Sequence, residues 1–81
     1  MTESQIVLFH RIADHDSARV RKLIVDRGLS AKIDFRNVGT GTRDIALLNQ
    51  IAKNDITPAL LLADGRLLQN VNEILAFLLT C

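Results

Sequence analysis

Four consecutive polar residues, Asp14-His15-Asp16-Ser17, hold most of the chemistry that this sequence offers. Two carboxylates flanking an imidazole could ligate a metal ion or form an acid–base pair. Adjacent residues at a helix start seldom converge on one point, and the nearest other histidine in the sequence is His10. We therefore interpret the segment as a helix start capped by Asp14 or Asp16, with ligand contact as the alternative. We predict no metal site and no catalytic residue.

Two other parts of the sequence are weaker candidates for binding or chemistry. Gly39-Thr40-Gly41-Thr42 precedes a helix and could bind an anion through free N–H groups. It lacks the lysine of a phosphate-binding loop, so we interpret it as a flexible connection. Cys81 is the only cysteine, which excludes a disulfide within the chain and a cysteine-based metal site. Its role stays open.

The first half of the chain predicts two strands around a helix. Residues 6–9 are continuously apolar, as in a strand covered on both faces. The helix should end before Gly28, with an apolar stripe and an outward basic face: Val20, Leu23 and Ile24 in the stripe; Arg19, Arg21, Lys22 and Arg27 outside. Residues 31–36 alternate between polar and apolar, which is typical of a half-exposed strand at a sheet edge.

The second half predicts a helix, a hairpin and a last helix. The middle helix begins near Thr42 and buries Ile45, Leu48, Ile51 and Ala52. Pro58 opens an apolar strand that turns through Asp64-Gly65 into a second strand. Asn70 caps the last helix, whose buried stripe comprises Val71, Ile74, Leu75, Phe77 and Leu78.

The order β-α-β-α-β-β-α predicts an α/β fold. Two strands joined through a helix should be parallel with a right-handed crossover, whereas the hairpin is antiparallel. The smallest arrangement that satisfies both is a four-stranded mixed sheet with helices on both faces. Residues 1–81 then form a single domain.

Composition excludes several classes of function. The net charge of +1 argues neither for nor against nucleic acid. No aromatic residues interleave with the basic ones, so we expect no nucleic-acid partner. No apolar run approaches the length of a membrane span, and the first residues do not resemble a signal peptide. We therefore expect no membrane association and a cytoplasmic location.

Three motifs in this order resemble the thioredoxin-like superfamily, with glutaredoxins and the N-terminal domain of glutathione transferases as the nearest likeness. The first is Val7-Leu8-Phe9 followed by a helix containing Val20-Arg21, a pair that recurs in transferases. The second is Ile56-Thr57-Pro58-Ala59-Leu60, similar to the family's Val-Pro-Ala-Leu. The third is the Asp64-Gly65 hairpin with the helix after it. The likeness implies a thioredoxin-like fold and a cis bond before Pro58.

The departures from the family determine the functional prediction. Aligned on these motifs, the glutaredoxin Cys-x-x-Cys falls on Asp14-His15-Asp16-Ser17, so dithiol exchange is not expected. Ser17 is similar in position to a serine that some transferases use toward the glutathione thiol. Gln69-Asn70-Val71 stands where glutaredoxins have Gly-Gly and transferases have Glu-Ser, although Gln69 and Asn70 could still hydrogen-bond a ligand.

The resemblance thus implies a redox-inactive module that binds a protein or peptide at a cleft beside Pro58. The residues predicted to line the cleft are Asp14, His15, Asp16, Ser17, Thr57, Pro58, Gln69 and Asn70. The main alternative is a transferase-like domain that binds glutathione, the one cofactor left open. A further alternative is a dimerising domain that uses the edge strand at residues 31–36.

Overall fold

The computed structural model describes residues 6–39, 42–54 and 56–80, which form three α-helices and four strands. In chain order the elements are β1 (Ile6–His10), α1 (His15–Asp26), a 3-10 turn (Ser30–Lys32), β2 (Ile33–Asn37), α2 (Thr42–Ala52), β3 (Ala59–Leu61), β4 (Leu67–Leu68) and α3 (Val71–Leu79). The predicted element order is therefore confirmed.

The four strands form one mixed sheet in the order β2-β1-β3-β4. β1 runs parallel to β2, with Leu8 opposite Phe35, and antiparallel to β3, with Leu8 opposite Leu60. β3 and β4 form the antiparallel hairpin. β1 lies between β2 and β3, and helices cover both of its faces, as the apolar run at residues 6–9 predicted.

Helices cover both faces of the sheet, and each face has its own core. α1 and α3 pack on one face over Leu8 and Leu60, together with Val20, Ile24, Ile74 and Leu78. α2 packs on the other face through Leu48, against Phe9, Val38 and Ala59. Side chains alternate between faces along a strand, so neighbouring residues such as Leu8 and Phe9 enter different cores.

Glycine ends α1 as predicted. Gly28 has φ +69°, a conformation that glycine adopts without steric cost. The N–H of Gly28 bonds to the carbonyl of Val25, and the N–H of Leu29 bonds to that of Ile24. This paired reversal satisfies the last carbonyls of the helix and returns Leu29 to the core, where it is buried.

Several local predictions are wrong. β2 begins at Ile33, not at Ala31, because the chain leaving Leu29 first makes a 3-10 turn. The strand after Pro58 begins at Ala59, so the proline precedes it. Ile51 is 37% exposed, since it lies about 90° around α2 from the centre of the stripe formed by Ile45, Leu48 and Ala52.

None of the helices in the described part of the chain is both long and apolar enough to cross a membrane.

Candidate functional site

A hydrogen-bonded group of four residues joins the loop after β1 and the first turn of α1 to the segment before β3. We call Arg11, Asp14, Ser17 and Thr57 the Asp14 cluster. Asp14 Oδ2 accepts from Ser17 Oγ at 2.7 Å and from Thr57 Oγ1 at 3.0 Å. Thr57 Oγ1 in turn accepts from Arg11 Nη1 at 3.2 Å. The Asp14 cluster thus connects residues that lie 43 positions apart in the sequence.

Asp14 lies at one of the two positions predicted for the cap of α1, but it does not make the predicted contact. It is the residue at which α1 begins, with extended backbone, yet its side chain makes no capping hydrogen bond to the helix. The carboxylate is directed toward the two hydroxyls. Its structural role is therefore to hold α1 against the Thr57 segment.

The Asp14 carboxyl is ionised at neutral pH. Burial acts to raise its pKa, but the hydrogen bonds from Ser17 and Thr57, together with the nearby backbone N–H groups of Asp16 and Ser17, outweigh that effect. The pKa of Asp14 is therefore below its ordinary value. The group suits accepting hydrogen bonds and does not suit general acid chemistry near neutrality.

Ser17 is fully buried, and its hydroxyl is already committed. Its Oγ donates to Asp14 and accepts from the backbone N–H of Arg11 at 3.3 Å. A hydroxyl has one donor, so donation to a thiolate would require Ser17 to release Asp14.

Arg21 fixes the loop that carries Arg11, and the prediction that Arg21 points outward is wrong. Its guanidinium reaches back from α1 and donates to the carbonyls of Arg11 at 3.1 Å and Ile12 at 3.4 Å. Nη1 also lies 3.2 Å from His10 Nδ1. Loop carbonyls near a helix start have no helical partner, and a long cationic donor satisfies them.

His10 is neutral and belongs to β1, which extends one residue beyond the apolar run predicted at residues 6–9. It is only 5% exposed and contacts Phe35 edge to face, with ring centroids 5.9 Å apart. Burial, and secondly the positive charge of Arg21, lower its pKa. Arginine only donates, so His10 Nδ1 accepts and the proton lies on Nε2.

The side chains of His15 and Asp16, both predicted to line the cleft, lie apart from the Asp14 cluster. His15 is exposed on the first turn of α1, and Asp16 forms an ion pair with Arg19 at 3.7 Å. Within the described ranges, the structure does not bring together three histidine, cysteine or acidic side chains that could hold a metal ion.

Gln69 and Asn70 are used by the fold. Gln69 Nε2 donates to Asn54 Oδ1 at 2.7 Å and to the carbonyl of Ile56 at 3.2 Å. Asn70 Oδ1 accepts from the backbone N–H groups of Asn72 and Glu73, as the capping prediction required. Gln69 therefore supports the segment before Pro58, and Asn70 starts α3.

Replacing Asn70, the residue that caps α3, should lower the stability of the fold by a measurable amount. We expect Asn70→Ala to lower the free energy of unfolding by about 1 kcal/mol, because two N–H groups of α3 lose their acceptor. Urea unfolding would measure the change. Asn72→Ala is the matched control, since the Asn72 side chain makes no hydrogen bond with the described residues. Equal losses in the two variants would contradict this role for Asn70.

A shallow cleft opens beside the Asp14 cluster. It has a volume of about 480 Å³ and is lined by Arg11, Ala13, Asp14, Ile56 and Thr57. The Thr57–Pro58 peptide bond is cis, as the resemblance implied. Ile56 is 54% exposed at the cleft, and Ile12 is 63% exposed in the loop between two lining residues.

The backbone of Thr57 has unused hydrogen-bonding capacity. Considering residues 6–39, 42–54 and 56–80, neither its N–H nor its C=O is hydrogen-bonded. Pro58 is buried, so the exposed part of this segment consists of Ile56 and Thr57. The cleft therefore combines a polar floor, an apolar side chain and free main-chain groups.

Sequence reasoning missed Arg11, Arg21 and Asn54, all of which shape this cleft. The sequence did contain an indication that Arg21 matters, because the resemblance rests partly on the Val20-Arg21 pair. Arg11 and Asn54 carry no local pattern that distinguishes them from other exposed polar residues. The functions suggested for Thr40, Gly41 and Cys81 lie outside the described residues.

Comparison with protein-family models found no match for this chain, and neither the curated proteins nor the solved structures yielded one.

Proposed function

We propose that this chain is a redox-inactive module of thioredoxin-like fold that binds an extended segment of a protein or peptide partner at the cleft beside Thr57. The element order and the proline before β3 support the fold assignment. Aspartate and serine at the ends of the Asp14–Ser17 segment, where that family carries its redox cysteines, support the absence of dithiol chemistry.

The proposal rests on the N–H and C=O of Thr57, which have no hydrogen-bond partner among the described residues. An extended peptide recognises a protein through main-chain hydrogen bonds, and side-chain contacts add specificity. A partner backbone opposite Thr57 would make those bonds, and one of its apolar side chains would cover Ile56. A binding surface needs such an apolar contact because main-chain bonds alone replace equivalent bonds to water.

The floor of the cleft supports a binding role more than a catalytic one. The hydroxyls of Ser17 and Thr57 both donate to Asp14, so no nucleophile lies free beside a base within the cluster. Asp14 is held ionised by these bonds. Side chains fixed in this way form a rigid platform, which reduces the entropy lost on binding.

Glutathione binding is less well supported. Ser17 is buried and bonded to Asp14, Gln69 is bonded to Asn54 and Ile56, and Asn70 caps α3. A transferase-like site would have to draw on groups that already stabilise the fold.

Random-peptide display against the folded chain, followed by NMR titration of a selected peptide, tests the proposal. We expect amide shifts centred on Thr57 and Ile56. Ile56→Asp should weaken binding at least about tenfold, because it removes an apolar contact and places a charge in the interface. Leu47→Asp is the control, since Leu47 is partly exposed on α2, which covers the other face.

Selection of no peptide, or shifts that lie on another surface, would overturn peptide binding at the cleft. A parallel titration with glutathione separates the two ligand classes. Shifts at Ser17 and Thr57 with millimolar glutathione, and none with selected peptides, would favour the transferase-like alternative.

A further inference from the structure

β2 is an edge strand whose outer side has no strand neighbour in the described part of the chain. An edge strand presents unpaired N–H and C=O groups that another strand can bond. We propose that β2 (Ile33–Asn37) pairs with β2 of a second copy of this chain, giving a symmetric dimer with a continuous sheet. The partner is a second copy because the charges of the strand complement themselves.

Symmetry limits how two copies of β2 can pair. A two-fold axis that relates antiparallel edge strands stands perpendicular to the sheet, so each face of one copy continues the same face of the other. Residues directly opposite one another must then share a face. Successive residues alternate between faces, so the register can shift only by an even number of residues. Each such shift moves the two-fold axis from one residue of β2 to the next.

The charges of β2 distinguish among the permitted registers. With Phe35 on the axis, Asp34 lies opposite Arg36 of the second copy, and Arg36 lies opposite the second Asp34. With Asp34 on the axis, two carboxylates face each other, and with Arg36 on the axis, two guanidinium groups do. Opposite charges across a strand pair stabilise it, and like charges destabilise it. The register centred on Phe35 is therefore favoured.

The charged side chains are accessible and have capacity for this pairing. Arg36 and Asp34 are 40% and 35% exposed. Arg36 already contacts Asp34 through Nε and Nη2, and it bonds to Asp44 through Nη1. A guanidinium carries five N–H donors, so Arg36 can add a carboxylate without releasing either partner.

The apolar face of β2 gains contacts in the same register. Phe35 is only partly buried against the core beneath α1 and α3. In the dimer it would lie beside Phe35 of the second copy, and cross-strand aromatic pairs stabilise a sheet. Ile33 would lie opposite Asn37 of the second copy. The register centred on Phe35 thus gives favourable side-chain contacts on both faces of β2.

Sedimentation of the full chain over a wide range of protein concentration tests the proposal. We expect a monomer–dimer equilibrium. Asp34→Arg and Arg36→Asp should each weaken the dimer at least about tenfold, because each puts like charges opposite one another. An equal mixture of the two variants should recover a heterodimer, since the two arginines of one chain would then face the two aspartates of the other. Asp64→Arg, an equal charge change at the hairpin, should leave the dimer unchanged.

A wild-type chain that stays monomeric at all concentrations would overturn the proposal. So would a dimer that neither substitution weakens, or variants that fail to recover on mixing while remaining folded. If a variant does not fold, NMR measurements on the wild-type chain alone still test the proposal. Concentration-dependent NMR line broadening must then centre on Ile33–Asn37, and broadening centred elsewhere would rule out the edge contact.

Discussion

Asp14→Ala is expected to lower the free energy of unfolding by about 2–3 kcal/mol, a larger loss than we expect from any other single substitution at the cleft. The substitution leaves the hydroxyl of Ser17, which is fully buried, without its acceptor, and removes the acceptor of Thr57 as well. A buried donor without a partner loses its bond to water and gains nothing in return. Urea unfolding at neutral pH measures the loss.

A double-mutant cycle separates this contact from a general effect of the substitution. Ser17→Ala removes the buried donor, so Asp14→Ala should cost about 1–2 kcal/mol less in the Ser17→Ala background than in the wild type. Asp14→Asn is the matched control, because the amide keeps an acceptor oxygen at the same position. Additive losses from Asp14→Ala and Ser17→Ala would show that the 2.7 Å bond between them is not what stabilises this region.

The pH dependence of stability includes one contribution from Asp14 and another from His10, and Asp14→Asn distinguishes them. The pKa of Asp14 is lowered in the folded state, so the unfolded chain binds more protons at acidic pH. Stability from Asp14 is present above the ordinary aspartate pKa of 3.8 and is lost as the pH falls through the folded value. Asp14→Asn should abolish this part of the acid limb.

His10 acts at higher pH with the same sign. Its pKa is lowered from 6.5, chiefly by burial, so its contribution is present above pH 6.5 and is lost as the pH falls through the folded value. Asp14→Asn should leave this part intact, because His10 bonds to Arg21 and not to Asp14. An unchanged acid limb in Asp14→Asn would contradict the account of Asp14.

Arg21→Ala is expected to lower the free energy of unfolding by about 2 kcal/mol. The variant deprives the carbonyls of Arg11 and Ile12 and the ring of His10 of one shared cationic donor. Hydrogen bonds to charged groups contribute more than neutral ones, and this guanidinium belongs to a half-buried residue, which limits screening by solvent. Urea unfolding again gives the change.

The same variant should affect the cleft more than the fold as a whole. Arg21 holds the loop that carries Arg11, so Arg21→Ala should broaden or double the NMR signals of residues 11–14 and weaken any peptide bound beside Thr57. Arg19→Ala is the control on the same helix, because Arg19 makes only a solvent-exposed ion pair with Asp16 among the described residues. Comparable losses in stability from Arg19→Ala and Arg21→Ala would show that the loop contacts contribute nothing specific.

Much of the fold follows from local patterns in the sequence. The continuous apolar run at the start of β1 predicted a strand covered on both faces. Asp64-Gly65 marked the hairpin turn, and Gly28 and Asn70 marked helix ends correctly. These residues act through short-range physics: backbone conformation, capping and alternation of side chains. Such effects depend only on neighbours in the chain, so a single sequence reveals them.

The tertiary structure, far more than the sequence, decided which side chains form the candidate site. The sequence placed Asp14, Ser17 and Thr57 among eight cleft residues, and the structure joins these three through Asp14 Oδ2. It directs Gln69 and Asn70 to other partners and leaves His15 exposed. Hydrogen-bonding side chains such as these have several possible partners, and only the positions of distant segments decide among them.

Asp14 shows most clearly what the sequence predicts and what only the tertiary structure decides. The aspartates before the apolar stripe predicted that α1 begins at Asp14 or Asp16, and the structure places the cap position at Asp14 without a side-chain capping bond. Only the packing of Thr57 against the loop decided what the carboxylate does. The cap position is a property of adjacent residues, whereas the bond to Thr57 requires the sheet to bring the two side chains within 3.0 Å.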